Sequence, residues 1–473
     1  MSLVAGLDVG TTGCKVTVFT PDGKCRGREY RTYRTKRTAS VHEVDAEALA
    51  EGVLEAVEAA SARFGKIDAM GVASFGEAFV LTDGDGRPLC PVMLCTDSRG
   101  AEECRAFAAA FGEERAAHIS GVKPSESYSL PKMMWIKAHA PDVFARAKYA
   151  MLVEDYVIYL LTGERVIDYS LATRTMAFDI HAMGWSSDIL DAAGIPVEML
   201  SRPVPTGTVA GVSKGGIKIV AGGHDQVACA VGAGVFEPGT AAEGAGTVEC
   251  ITPVFSGIPE SIRFQQDNYC VVPYFGNFVS YAYSYTGGEL LRWCADDVCG
   301  RSHEELQSGA YDGPTGLLVL PYLAGAATPY MDSGAKGAIV GLTLGTKGRD
   351  VYLACMEAVA YEMRVNMERL AASGVRFDRL VATGGGAKSK LWMQMKADVL
   401  GIPFDALEVE DAGTVGCAMM AGVACGAYPD LEAARSVMVR RVGSYAPDPA
   451  RHAAYSSVYE RYGKMYDAVR PLV

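Results

Sequence analysis

Residues 3–9 form an apolar run, apolar and polar positions alternate over 15–20, and 24–33 reads as a return strand, with Pro21-Asp22-Gly23 between the last two. A period of two broken by turn residues predicts an antiparallel meander. The period changes over residues 45–64, where Leu49, Val53, Leu54 and Val57 predict a helix. Residues 67–74 predict a short buried strand, and 80–82 with 88–89 a hairpin around Asp83-Gly84-Asp85-Gly86. Helices are expected over 97–111, 131–140 and 152–161, then a strand over 217–220 that runs into Gly222-Gly223-His224-Asp225-Gln226. The pattern restarts near residue 240. Strands are expected over 247–252 and 278–283, a long amphipathic helix over 350–371, and a strand over 379–382 entering Thr383-Gly384-Gly385-Gly386. A helix to residue 400 and another over 414–424 complete the strong signals.

Strands and helices are thus mixed throughout, which predicts an α/β class. Gly10-Thr11-Thr12 and Gly246-Thr247-Val248 occupy similar turns near the start of each half. The expected organisation is two related lobes, residues 1–240 and 241–473, facing one cleft with a hinge rather than a low-complexity linker.

Composition narrows the function. The 473 residues carry 44 Lys and Arg against 56 Asp and Glu, a net charge of −12, which weighs against nucleic acid as a partner. That field does not draw an anion inward, so a phosphate ligand must be held by local backbone amides and a metal ion. The 13 cysteines contain no CxxC spacing, which argues against a zinc site or a disulfide scaffold and for a reduced, intracellular protein. No basic, apolar leader opens the sequence, and the charge-poor stretch 313–331 is broken by Pro314, Pro321 and Pro329. A cytoplasmic protein without a membrane segment is the expectation.

Four local patterns can carry chemistry. In Asp8-Val9-Gly10-Thr11-Thr12-Gly13-Cys14-Lys15, the glycines let backbone approach a phosphate, the threonines and amides donate to it, and Lys15 adds a point charge. Asp8 can hold Mg²⁺ through water. No GxxxxGK[ST] occurs, which disfavours a Walker-type site. Asp225, at a strand end, can accept a proton from a hydroxyl; its structural alternative is a cap on the following helix. Gly384-Gly385-Gly386 before a helix offers bare backbone to a flat ligand or phosphate; a tight turn is the alternative. Glu77, Asp97 and Arg99 can hydrogen-bond the hydroxyls of a polyol, or can simply be a solvated Glu and a surface ion pair.

Taken in order, these pieces resemble the FGGY family of carbohydrate kinases over essentially the whole chain. Residues 8–15 resemble its first phosphate motif, Gly223-His224-Asp225-Gln226 its catalytic segment, Gly246-Thr247 its second phosphate motif and residues 384–389 its adenosine motif. Residues 127–135, with Lys132 and Trp135, resemble its first signature, and residues 337–357 its second. The resemblance implies a two-lobed fold of the actin/Hsp70/sugar-kinase (ribonuclease H-like) type, with ATP, Mg²⁺ and a small sugar or polyol in the interlobe cleft. It implies Asp225 as general base, Glu77, Asp97, Arg99 and Gln226 beside it on the substrate, and Asp8 toward the metal. It further implies Gly10, Thr11, Thr12, Lys15, Gly246 and Thr247 on the phosphates, Gly288 and Arg292 near the nucleotide, and Gly385, Gly386, Ser389 and Lys390 along the adenosine. A ketose such as xylulose is the first expectation for the substrate. Gluconate, glycerol or a tetritol are alternatives within the family. A non-kinase actin- or Hsp70-like ATPase, or a sugar sensor, is the alternative of another class. Homodimerisation is compatible with a chain of this size.

Overall fold

The meander expected at the start of the chain forms the middle and one edge of a sheet in the computed structural model, which describes residues 3–38, 41–408 and 411–473. The chain divides into two compact units. One comprises Met1–Gly234, Cys270–Val279 and Asp411–Val439; the other comprises Val235–Tyr269, Ser280–Glu410 and Arg440–Val473.

The first unit is built on a six-stranded sheet in the order Val209–Val212, Lys218–His224, Ala69–Ser74, Val4–Val9, Gly13–Phe19, Cys25–Thr32. Val4–Val9 runs antiparallel to Gly13–Phe19 and parallel to Ala69–Ser74, which in turn runs parallel to Lys218–His224. Their registers place Val9 opposite Ser74 and Ser74 opposite His224. The residues that follow these strands therefore leave from one edge, the carboxyl end of parallel strands, where α/β sheets place ligands.

Period-two alternation gives this sheet two different faces. Leu3, Ala5, Leu7 and Val9 join a core with Leu49, Val53, Ala56, Val57 and Ala60 of the helix Ala46–Phe64. Asp45 caps that helix by accepting the Glu47 and Ala48 amides. The opposite face is stripped of side chains. A Cβ on Gly6 would lie 2.0 Å from the Thr414 carbonyl oxygen, and one on Gly71 2.3 Å from that of Cys417. The helix Ala412–Ala424 thus lies directly on strand backbone, and Gly416 lets it close equally on the helix Asp225–Gly232, at 2.0 Å from the Ala228 oxygen.

The second unit repeats the opening motif. Thr240–Ala245 is antiparallel to Glu249–Phe255 and parallel to Arg379–Thr383; Phe404–Leu407 and Arg441–Tyr445 extend the sheet beyond it. The long helix Gly348–Ala372 is not amphipathic over its first half: Val351–Met363 are buried on every side, as in a helix enclosed by protein. Its Glu357 carboxyl accepts the Thr315 amide and hydroxyl at 2.8 and 3.0 Å, which satisfies a polar group inside the core.

Some elements differ from the sequence expectation. The helix expected over 97–111 starts only at Ala101, because the Asp97 side chain folds residues 97–99 into a turn, and it passes after Phe107 into a π-turn. The strand expected to stop at residue 220 continues to His224. Residues 247–248 are turn, not strand, and 278–283 breaks into the ends of two short strands. Among the described residues no helix is long and apolar enough to cross a membrane.

Candidate active site

The Gly10-Thr11-Thr12 turn closes on itself, with the Gly10 N–H donating to the Gly13 carbonyl at 2.9 Å and the Tyr33 hydroxyl donating to the Gly10 carbonyl. No Cβ could be built at Gly13 without meeting the Tyr30 ring and the Arg31 carbonyl. Thr11 is half-buried and Thr12 exposed, so neither is packed into the core. Lys15, one strand position beyond the turn, forms an ion pair at 2.6 Å with Asp411, which caps the helix Ala412–Ala424. Asp8 sits on the neighbouring strand opposite Lys15. Burial pushes its carboxyl up to about 7; Asp225 and Asp411 add to that push, and Lys15 opposes it. Asp8, Asp225 and Asp411 thus share one electrostatic neighbourhood with a single lysine.

Asp225 is the first residue of its helix, not the cap. The cap is His224, whose Nδ1 accepts the Gln226 N–H at 3.2 Å and stands 2.9 Å from Asp225 Oδ1. A buried polar network fixes the strand end before it. Glu154 accepts the Gly223 N–H at 2.8 Å, and the Ser170 hydroxyl accepts the His224 N–H at 2.8 Å. Asp168 in turn holds Ser170, Leu171 and Thr206. Gly223 has φ +90°, and a Cβ there would meet Ser170 and Asp168. Burial acts to raise the Asp225 carboxyl, but the His224 ring, the Gln226 amide and the Arg174 guanidinium outweigh it. The net direction is downward, toward the ionised form. Gln226 follows on the same helical turn, half-buried.

Glu77, Asp97 and Arg99 also lie in this unit, each with a partner inside the protein. Arg174 binds Glu77 through Nε at 2.7 Å and through Nη2. Asp97, 1% exposed, accepts the Arg99 guanidinium at 2.8 and 2.6 Å and the His42 N–H at 2.9 Å. Arg99 also reaches Glu43 at 2.6 Å. The Asp97–Arg99 pair is therefore present, but with Asp97 buried rather than as the surface pair of the structural alternative.

In the second unit, the turn after Thr240–Ala245 presents Gly246 and Thr247 to solvent. The Gly287 and Glu289 amides donate to the Thr247 carbonyl and the Gly288 amide to that of Gly246, which docks the helix Gly288–Trp293 under the turn. A cavity of about 730 Å³ opens beside it. Gly246, Thr247, Gly288, Arg292, Gly385, Gly386 and Ser389 all line it. Lys390 does not: it opens the helix Lys390–Leu400 with its side chain exposed, and Lys388 faces the cavity instead. Two of the three glycines have a packing reason as well, since a Cβ on Gly384 would lie 2.8 Å from the Ala245 oxygen and one on Gly386 2.7 Å from Trp392, whereas one on Gly385 would meet nothing. Ser389 caps its helix, accepting the Trp392 N–H and donating to Gln307, which donates to Tyr352. Beneath lies a buried ion cluster: Lys396 donates to Glu243 and, at 2.8 Å, to Glu249, one from each strand flanking the Gly246 turn.

A glycine-threonine turn beside an aspartate-headed helix in one unit, and a second such turn bordering a nucleotide-sized cavity in the other, are the parts the sequence resemblance requires. Comparison with known proteins agrees. The N-terminal domain profile of the FGGY family of carbohydrate kinases matches residues 3–233 and its C-terminal domain profile residues 272–425. The chain belongs to the FGGY family of carbohydrate kinases. A xylulose kinase from Lactococcus lactis is 28% identical over 98% of this chain and 97% of its own length. A glycerol kinase from Symbiobacterium thermophilum is 30% identical over 89% of this chain and 90% of its own. Among solved structures, a xylulose kinase from Rhodospirillum rubrum superposes with a TM-score of 0.90 at 24% identity, covering 99% of each chain.

This FGGY member is therefore an ATP-dependent carbohydrate kinase with the two-domain sugar-kinase fold, and not a filament-forming or chaperone-type ATPase. Sequence reasoning missed Asp411 and Arg174, and, along the cavity, His303, Gln307, Tyr352, Lys388 and Trp392. Asp411 precedes a helix and could have been read as a cap. Lys388 stands inside the 384–389 motif, two positions before the expected Lys390; Arg174, His303, Gln307, Tyr352 and Trp392 stand in no motif, and only tertiary packing brings them to the site.

Proposed function

We propose that this chain transfers the γ-phosphoryl group of ATP to a primary hydroxyl of a small sugar, with a ketose such as xylulose first and glycerol, gluconate or a tetritol as alternatives. The xylulose kinases it matches over nearly its whole length support the ketose. The observation that carries the reading is Asp225. It is held at a strand end by His224 and the Glu154–Asp168–Ser170 network, and its carboxyl is biased toward the ionised form. Such a group takes the hydroxyl proton as the oxygen attacks phosphorus. Gln226 and Glu77 are the neighbouring groups offered to the sugar.

Thr11, Thr12 and the Gly10 turn supply donors to phosphate oxygens, and Lys15 can exchange Asp411 for a phosphate. The second unit's cavity takes the adenosine, with Gly385, Gly386 and Ser389 along its wall and Gly246 and Thr247 on the phosphates. The donor set of the first unit suits a hydrated Mg²⁺. Asp8 lies in the field of two further carboxylates, those of Asp225 and Asp411. Among those residues no three ligands gather closely enough to cage a metal by themselves, which fits an ion that keeps its waters. When bound, Mg²⁺ would neutralise charge on the transferring phosphates.

The test is a coupled ADP-release assay with Mg-ATP against D-xylulose, D-ribulose, fructose, gluconate, glycerol and erythritol. Sugar-dependent ADP release is expected, strongest with one ketose. Asp225→Asn should lower kcat about a hundredfold or more with ATP binding nearly unchanged. Unaltered turnover in that variant removes Asp225 from the mechanism.

A further inference from the structure

Glu77 is held in a way that a solvated glutamate has no need of. Its backbone has φ +62°, a left-handed conformation that a residue with a Cβ adopts only under external constraint. The constraint is visible. The buried Ser129 hydroxyl donates to the Glu77 carbonyl at 2.7 Å. The Arg174 guanidinium binds a single carboxylate oxygen, Oε1, through both Nε and Nη2. Arg174 is itself set from behind, with its guanidinium 5.0 Å over the Tyr128 ring.

The same residues are tied to Asp225. Arg174 ends the short helix Tyr169–Thr173, whose Ser170 hydroxyl accepts the His224 N–H. A Cβ on Gly76 would lie 2.5 Å from the His224 ring, so the missing side chain at position 76 is what lets that ring pack against the residue preceding Glu77; Arg174 Cγ, at 3.6 Å, also borders position 76. Arg174 is also among the groups that bias Asp225 toward ionisation.

Building on the kinase reading above, we infer that Arg174 is a positioning residue that orients Glu77 for the substrate, and that the Arg174–Glu77 pair selects a neutral ketose or polyol over a sugar acid. The Glu77 carboxylate, so oriented, accepts a substrate hydroxyl. The pair carries no net charge, and Asp225 beside it is an anion. A substrate carboxylate would need a cation of its own. Arg174 is committed to Glu77, Arg99 to Asp97 and Glu43, and the fully buried Lys132 to the Glu126 carbonyl. No guanidinium or ammonium of this group is left to meet it.

Calorimetric binding and steady-state kinetics with D-xylulose, glycerol and D-gluconate on the full chain test this. Arg174→Gln and Glu77→Gln should each weaken neutral-sugar binding and raise its KM about tenfold, the scale of one lost charge-assisted hydrogen bond. The KM for ATP should stay unchanged. The double variant should be no weaker than the weaker single one, and Arg174→Lys should recover part of the loss. Wild-type protein should bind D-gluconate more weakly than the better neutral sugar. Sugar KM unchanged in a folded Arg174→Gln, additive effects in the double variant, tighter gluconate binding, or no neutral-sugar binding by wild type would each overturn the inference. Sugar binding that depends on Arg174 but is never followed by ADP release would uphold the pair and sink the phosphoryl-transfer reading instead.

Discussion

Replacing Lys396 by methionine probes how the second unit holds its glycine-threonine turn. Lys396, Glu243 and Glu249 have side chains 0%, 0% and 2% exposed, and the lysine bridges the two strands on either side of Gly246. Burial, partly offset by Lys396 and reinforced by Glu243, leaves the Glu249 carboxyl well above the usual range. The cluster thus sets one ammonium between the Glu243 carboxylate and a Glu249 carboxyl biased toward its neutral form. Methionine fills the volume but strands the carboxylate. Breaking a buried pair from one side costs about 3–5 kcal/mol, because the desolvation already incurred is no longer offset. The stranded carboxyl can be accommodated only by taking up a proton. A buried carboxyl that has lost its ammonium favours the neutral acid, so the deficit of the variant grows as pH rises. Thermal unfolding of Lys396→Met should show a Tm lowered by several degrees at pH 8 and a smaller deficit at pH 5.5. ATP affinity should fall with it, since Glu243 and Glu249 flank the turn that borders the cavity. A loss below about 1 kcal/mol, or one independent of pH, would refute the reasoning.

Two further outcomes follow from the first unit. Gly416→Ala places a Cβ 2.0 Å from the Ala228 carbonyl oxygen, where only backbone can yield; a loss of about 2–3 kcal/mol is expected, read as a lower midpoint in urea. An unchanged midpoint would mean that the two helices slide apart freely. Asp8 has its carboxyl raised to about 7, so its contribution to stability is present at low pH and is lost as pH rises toward that value. Asp8→Asn should therefore melt higher than wild type at pH 8 without nucleotide or metal, with the gap closing toward pH 4, while losing kinase activity. A gap of constant size across that range would contradict the raised carboxyl.

Much of this protein was legible along the chain. The meander, the helix Ala46–Phe64 and the helix Ala412–Ala424 followed from period and turn residues, which are local properties. The three glycine-bearing motifs were also legible, because a backbone that must meet a phosphate or another backbone shows itself as missing side chains. Where the reading fell short, the cause was a partner distant in sequence. Asp97 bends residues 97–99 out of a helix to bind Arg99 and His42. Lys388, in the turn Gly385–Lys388, lines the cavity, whereas Lys390, beyond the Ser389 cap, opens the next helix at an exposed position and does not. Glu77 looked like a solitary acid until Arg174, 97 residues later, was found on it.

The amino-acid sequence by itself determined the class of fold, the order of the motifs and the residue types available for phosphate, metal and proton. It could do so because hydrophobic period, turn chemistry and glycine placement act between neighbours. Only the tertiary structure decided which charges meet: Lys15 with Asp411, Arg174 with Glu77, Lys396 with Glu243 and Glu249, and Asp8 in the field of Asp225. Electrostatic energy depends on distance and on exclusion of water, and neither exists until strands far apart in the chain lie side by side.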